Sequence, residues 1–194
     1  MADNNQNGNG NILNNNRIIY LSGIIDDEKT KNVVSSIIRF EIQDPTKDIL
    51  FYIDSTGGTV DGFIAMHDII KNICRCDVAT ICVGKAMSSG MMLLISGTKG
   101  KRFITPNSRV LIHPISQFSV GKTTVTQMET RAEETRRLQS FFESLIVKYT
   151  NMTKTQVKKY MTCDSFLDTK TCLEMGIIDY IIDNSNILYN NINI

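Results

Sequence analysis

Gly84-Lys85-Ala86-Met87-Ser88-Ser89-Gly90, followed by the apolar run Met91 to Ile95, is the stretch on which the reading turns. The apolar, β-rich segment Val78-Ala79-Thr80-Ile81-Cys82-Val83 leads straight into it. A buried strand therefore ends at a turn of small residues, and a short helix begins on the far side. Ser88 falls at the start of that helix, where unpaired backbone N–H groups and the helix dipole favour developing negative charge. A hydroxyl there has two readings, a nucleophile or an ordinary helix N-cap. The stretch alone does not separate them.

Working outward, Arg17 to Gly23 reads as a short strand stopped by glycine. Asp26 or Asp27 can cap a helix in which Val33, Val34, Ile37, Ile38 and Ile42 recur at helical spacing, and Asp44-Pro45 ends it. Residues 48–54 are apolar on both faces, as a buried parallel strand requires. Ser55-Thr56-Gly57-Gly58 then turns into a helix with Val60, Phe63, Met66, Ile70 and Ile73 on one stripe. Beyond the Ser88 helix, which ends near Gly97, come strands at 102–104 and 109–112 and a polar loop or hairpin at 115–124. A helix from Val125 to Thr150 follows. Its first half, Met128 to Arg137, is charged nearly all round, so it projects from the body or packs on another subunit. Thr153-x-x-Gln156 is a capping box, Asp168 caps the last helix, and 177–182 is the final strand. Strand and helix alternate on short connections, which predicts an α/β layered fold.

The whole chain has 194 residues, 42% apolar and 21% charged, enough for one domain with a real core. Residues 1–16 hold eight asparagines and almost nothing apolar, and read as a disordered tail. The domain proper is expected over 17–183, with a C-terminal tail at 184–194. A net charge of +1 and the absence of Trp argue against nucleic acid and against an anionic membrane surface. No apolar run is long enough to span a bilayer, and the start is polar, unlike a signal peptide. Five cysteines without framework spacing, and only two histidines, predict free thiols in a reducing compartment, no metal and no cofactor.

Two phosphate signals fail on inspection. Val120-Gly121-Lys122-Thr123 carries the tail of a phosphate loop, but Ser116 stands where the first Gly belongs and no strand–loop–helix surrounds it. The lysines around Gly100 are a solvated turn. Ser88, His113 and Asp164 make a better set, because sites in parallel α/β sheets form at the carboxyl ends of strands. A serine hydroxyl needs a base within reach, and the base needs a third group to fix its tautomer. His67 is the other histidine; mid-helix beside Asp68, it reads as a surface residue. Gly57-Gly58 would let backbone approach a peptide closely, and an N–H there could join that of Ser89 as an oxyanion hole. A tight turn is the plainer account of the same glycines.

With these residues in view, the chain over about 17–183 resembles the proteolytic subunit of the Clp protease family. The matching blocks are Tyr20-Leu21-Ser22-Gly23, Lys47-Asp48-Ile49 with Tyr52-Ile53, and Gly84-x-Ala86-x-Ser88-x-Gly90. Lys99-Gly100-Lys101-Arg102-Phe103, Pro106-Asn107-Ser108-Arg109-Val110-x-Ile112-His113, Asp164-x-Phe166-Leu167 and Glu174-x-Gly176 continue the match. The order Ser, His, Asp also differs from the Ser, acid, His order of α/β-hydrolases. The resemblance implies a crotonase-like fold of stacked β–β–α units, a projecting long helix, and heptameric rings, single or stacked, enclosing the sites. It implies serine-type, ATP-dependent proteolysis of unfolded polypeptide delivered by an AAA+ unfoldase, or a sister Clp subunit in the ring. Ser88 would be the nucleophile, His113 the base, Asp164 its orienter, Gly57 and Gly58 substrate-binding backbone, and Gly58 and Ser89 the oxyanion donors. The compartment would be the bacterial cytoplasm, or the plastid stroma or mitochondrial matrix in a eukaryote.

Departures from the family pattern are Met87 in place of a small residue, Thr56 in place of Pro, and Pro114 directly after His113. Cys163 stands where many relatives carry an Arg that helps lock two rings, and the apolar axial segment that gates the pore is missing from the N-terminus. These departures keep a second reading open, a catalytically weak or silent structural ring subunit. A third, an acyl-thioester enzyme of the crotonase type, has no need of the Ser/His pair.

Overall fold

The computed structural model describes residues 16–116 and 122–193. The asparagine-rich tract, apart from Asn16, the middle of the polar loop at 115–124 and the Val120-Gly121 half of the phosphate-loop remnant lie outside the described residues. In chain order the elements are β1 (Ile18–Ile25), α1 (Asp27–Gln43), β2 (Ile49–Gly58), α2 (Val60–Asp68) with a π-turn (Ile69–Ile73), β3 (Val78–Met87) and α3 (Ser89–Ile95). There follow β4 (Arg102–Ile104), β5 (Arg109–Ile112), α4 (Val125–Tyr149), α5 (Lys154–Tyr160), β6 (Ser165–Leu167), α6 (Thr169–Glu174), β7 (Tyr180–Ile181) and α7 (Ser185–Tyr189). The α/β class expected from the sequence is the class observed.

The main sheet runs β1-β2-β3-β4-β7, every neighbouring pair parallel. Strand β3 is the branch point. Its first half pairs with β4 (Thr80↔Arg102 to Cys82↔Ile104) and its second half with β5 (Lys85↔Arg109 to Met87↔Leu111). Gly84, at φ +80°, makes the bend between the halves, a conformation that costs any residue with a Cβ. Its N–H is taken by the Ser108 hydroxyl at 2.8 Å. Beyond β5 lies β6, the one antiparallel strand among the described residues.

Helices α2 and α3 cover one face of the sheet, with Phe63, Met66, Met91 to Ile95, Phe51 and Ile53 in a single buried cluster. The other face has a smaller cluster of Leu50, Ala79, Ile81, Phe103 and Leu188, the last from α7. Asp48 fixes the end of that segment: its N–H donates to the Asn193 carbonyl at 2.7 Å, and its carboxylate accepts from the Asn193 N–H at 3.0 Å and from Lys101 Nζ at 2.7 Å. On α4, residues from Val125 to Arg137 are exposed or half-buried, whereas Leu138, Phe142, Leu145 and Ile146 are buried. The long helix therefore projects by its polar half, as its sequence predicts. The capping box expected at Thr153 is formed, and a second, at Thr124, starts α4.

The reading of His67 is overturned. His67 is not at the surface but 4% exposed, between the rings of Phe63 and Tyr149 at 5.4 and 5.6 Å between centroids. Its Nδ1 lies 2.8 Å from the Ser96 hydroxyl, which itself donates to the Met92 carbonyl at 2.7 Å. The Ser96 oxygen is thus left to accept, and Nδ1 carries the proton. The polar atom has a partner inside, so the apolar ring can be buried with it.

Burial pulls the His67 pKa below its ordinary value; Asp68 opposes the shift, while Lys71 and Lys148 add to it. The unfolded chain then binds the proton first. The neutral imidazole's contribution to stability is complete above the unfolded pKa of about 6.5 and is lost as pH falls through it toward the lower folded value. Replacing His67 by Phe is expected to flatten the fall in thermal midpoint on going from about pH 7 to about pH 5. Equal slopes for variant and wild type would refute it.

Candidate active site

Ser88 is placed by two chain-level demands. Its N–H continues the β3–β5 pairing, donating to the Leu111 carbonyl at 3.0 Å, while its own carbonyl accepts from Met92 N–H at 3.1 Å and so starts α3. One residue must turn a strand into a helix, and Ser88 does so at φ +54°, ψ −124°, outside the regions a residue with a side chain prefers. Although it occupies the N-cap position, its side chain makes no cap hydrogen bond. Of the two readings the sequence leaves open, the structural cap is therefore not the one the hydroxyl follows.

His113 comes directly after β5 and Asp164 directly before β6. The β5–β6 ladder runs Val110↔Leu167, Leu111↔Phe166, Ile112↔Ser165. The ladder ends there; His113 and Asp164 are the residues that flank its last pair, one on each strand. Ser88 lies beside the same strand end on the opposite edge. The ladders on the two edges of β5 place Ser88 and His113 on one cavity, which Asp164 does not line. No hydrogen bond joins Ser88, His113 and Asp164 among the described residues; Asp164 is exposed and His113 half-buried. Such bonds are often long or unformed without substrate.

Gly57 and Gly58 face Ser88 from the end of β2. A Cβ on Gly57, where φ is +91°, would lie 2.7 Å from Ser88 Cβ and 3.2 Å from Ser88 Oγ. A Cβ on Gly58 would overlap the backbone oxygen of Ile25, across the β1–β2 ladder. The Ser89 hydroxyl reaches the Gly58 carbonyl at 3.4 Å. Hence the plainer account, a tight turn, is incomplete: the glycines are where they are because backbone is pressed against the serine on one side and β1 on the other.

Gly58, Ser88, Ser89 and His113 line one cavity of about 70 Å³ with Val60, Met91, Met92, Ile112, Phe142, Ile146 and Met161. Pro114 lines it too, whereas Met87 does not. Among the described residues, no ionisable side chain but His113 faces it, so it suits an apolar group next to a serine. These apolar residues read in the sequence only as core stripes, and nothing but the fold marks them as a binding surface. Cys82 and Cys172 offer no rival nucleophile, since burial pushes both thiols up to about 12. None of the five cysteines is in a disulfide. Among the described residues no group of three or more His, Cys, Asp or Glu could hold a metal, and no helix is long and apolar enough to cross a membrane.

Comparison with known proteins gives a concordant result. The family model described as Clp protease matches residues 3–185. A protein of Bifidobacterium longum described as ATP-dependent Clp protease proteolytic subunit 1 is 36% identical over 168 residues, which are 86% of this chain and 71% of that protein.

The packing around Gly58 has a direct consequence. Gly58→Ala is expected to destabilise the chain by about 1–3 kcal/mol or more, the usual cost of forcing an extra carbon against fixed neighbours. Chemical denaturation reads this, and an unchanged midpoint would mean that β1 and the turn are not pressed together.

Proposed function

The chain belongs to the Clp protease family as a proteolytic subunit, a serine-type peptidase, and on that premise we propose that Ser88, His113 and Asp164 are its catalytic residues. Ser88 Oγ attacks the scissile carbonyl while His113 takes its proton, then hands it to the departing amine. A water deprotonated by His113 next releases the acyl group and restores Ser88. Asp164 orients His113 and stabilises it as it charges, and the N–H groups of Gly58 and Ser89 hold the oxyanion. The observation that carries this reading is Ser88 itself. It is a strained residue whose hydroxyl is not used as a cap and lines the same cavity as His113.

The reading extends to substrate and assembly. Unfolded polypeptide would be cut inside a heptameric ring, fed by an AAA+ ATPase or shared with a sister Clp subunit, in a bacterial cytoplasm or an organelle of bacterial descent. The silent structural subunit is the weaker alternative, because Met87, which stands in place of a small residue beside Ser88, does not line the cavity.

Ser88→Ala is expected to abolish peptide turnover and fluorophosphonate labelling. With no cap bond to lose, its stability cost should stay under the roughly 1 kcal/mol typical of a lost cap. Residual Ser-dependent turnover in this variant would remove Ser88 from the role. Asp164→Asn should keep the fold and lower kcat by about three to four orders of magnitude, and an unchanged rate would exclude it as the orienter.

Rings are expected to stack only weakly. The projecting half of α4 carries Glu129, Arg131, Glu133, Glu134, Arg136 and Arg137, and Arg137 already holds Glu134 within its own helix at 2.7 Å. Exposed pairs contribute about 0–1 kcal/mol each. Cys163, exposed, offers no guanidinium for a bidentate bond across the interface. Light scattering should therefore report single rings in about 1 M salt, where the Debye length is about 3 Å. A double ring that persists there would contradict this.

A further inference from the structure

Ser55 is fully buried, and its hydroxyl does two jobs at once. It donates to the Gly23 carbonyl at 2.6 Å and accepts from the Gly57 N–H at 3.0 Å. The need for it comes from the ladder. Gly23 pairs with Ser55 but the next residue, Ile24, pairs with Gly57, so β2 bulges at Thr56. The β3 side is displaced as well, from Ile53↔Cys82 to Ser55↔Ala86. A bulge leaves ladder groups without their regular partners. With Ser55 0% exposed, no water can replace the hydroxyl, and a buried N–H or C=O left alone costs about 1–3 kcal/mol.

What this bulge aims is the turn that faces Ser88. Gly57 is the residue pressed on Ser88, and Gly58 follows it. Ser55 also touches the other side of the site: a Cβ on Gly90, in the first turn of α3, would lie 3.2 Å from the Ser55 carbonyl oxygen and 3.3 Å from its Cβ. The two backbone segments that present Gly58 and Ser89 are therefore both seated on one buried serine. Resting on the reading of those two N–H groups as oxyanion donors, we infer that Ser55 is a positioning residue for the oxyanion hole. It acts through the Gly57 peptide and never meets the substrate.

The consequence is specific to the transition state. A hole displaced by a fraction of an ångström still admits the planar substrate but holds the tetrahedral oxyanion poorly. Ser55→Ala, assayed as the assembled protein on a fluorogenic peptide, is expected to lower kcat about 10- to 100-fold, since misplacement of about 1 Å can cost about 10²-fold. KM should stay within about twofold, as expected when only transition-state binding is lost. A peptide boronate, which forms a tetrahedral adduct on the serine, should lose affinity by the same factor as kcat/KM. If Ser55→Ala fails to assemble, Ser55→Cys carries the comparison, because a thiol nearly fills the space but is a weak donor and acceptor. An unchanged kcat, a loss confined to KM, or undiminished boronate affinity would overturn the inference while leaving Ser88 in place. Wild-type protein with neither turnover nor fluorophosphonate labelling would instead overturn the serine reading, and this inference with it.

Discussion

A single strand with two different neighbours along one edge is the constraint on which this structure depends. Parallel pairing to β4 holds the first half of β3 in the buried sheet, and parallel pairing to β5 holds the second half above it. The strand can serve both only by bending, and it bends at Gly84 with φ +80°. The ion pair of Lys85 with Asp54, 2.8 Å long, spans the bend from the β2 side. Everything in the candidate site lies on the far side of this bend. The second half of β3 delivers Ser88, the strand it recruits delivers His113, and the strand recruited in turn delivers Asp164.

Behind the bend, the buried pair of Arg102 and Asp179 locks the lower layer. Arg102 donates to both carboxylate oxygens of Asp179 at 2.9 and 2.7 Å and to the Tyr149 carbonyl at the end of α4 at 2.7 Å. Burial alone would raise the Asp179 pKa, but the Arg102 hydrogen bonds and charge reverse it, so the carboxyl sits below its ordinary range. The pair ties β4, the approach to β7 and the base of the long helix to one point. Such a fixed base gives α4 a rigid root from which its polar half can project.

The sequence was most legible where one local rule decided the outcome. The capping box at Thr153, the core stripes of α1 and α2, and the strand–turn–helix around Ser88 all follow from periodicity or cap chemistry within a few residues. It was least legible where long-range pairing decided. Strand β6 has three residues, Ser165-Phe166-Leu167, too few for any periodic signal, and exists because β5 offers an edge. Residues 55–58 read as a turn, yet they pair on as part of β2 because Ser55 repairs the bulge. Ile177-Ile178 read as strand, but they are buried before the strand begins and only Tyr180–Ile181 pairs. For His67, flanking Asp68 suggested water, and the partner that made burial acceptable, Ser96, lies 29 residues away. Of the candidate site, the residue types were readable and the mutual geometry was not, since it is written in the registers of β3, β5 and β6.

The same registers explain why the acid is the least secured of the three residues. Ser88 is bounded by a ladder on one side, a helix on the other and Gly57 against its face. Asp164 precedes a three-residue strand with one neighbour, at the open edge of the sheet, and Phe166 in that strand is 61% exposed. An open edge with an exposed aromatic ring is a surface that proteins ordinarily cover. In the ring proposed for this chain, covering it would remove Phe166 from water and limit the freedom of β6, and with it the freedom of Asp164 relative to His113. On the proposed roles, the nucleophile would be built by the fold of one chain, while the final alignment of its acid would be left to the contact between chains. Catalytic competence would then follow assembly, confining peptide-bond hydrolysis to the interior of the ring.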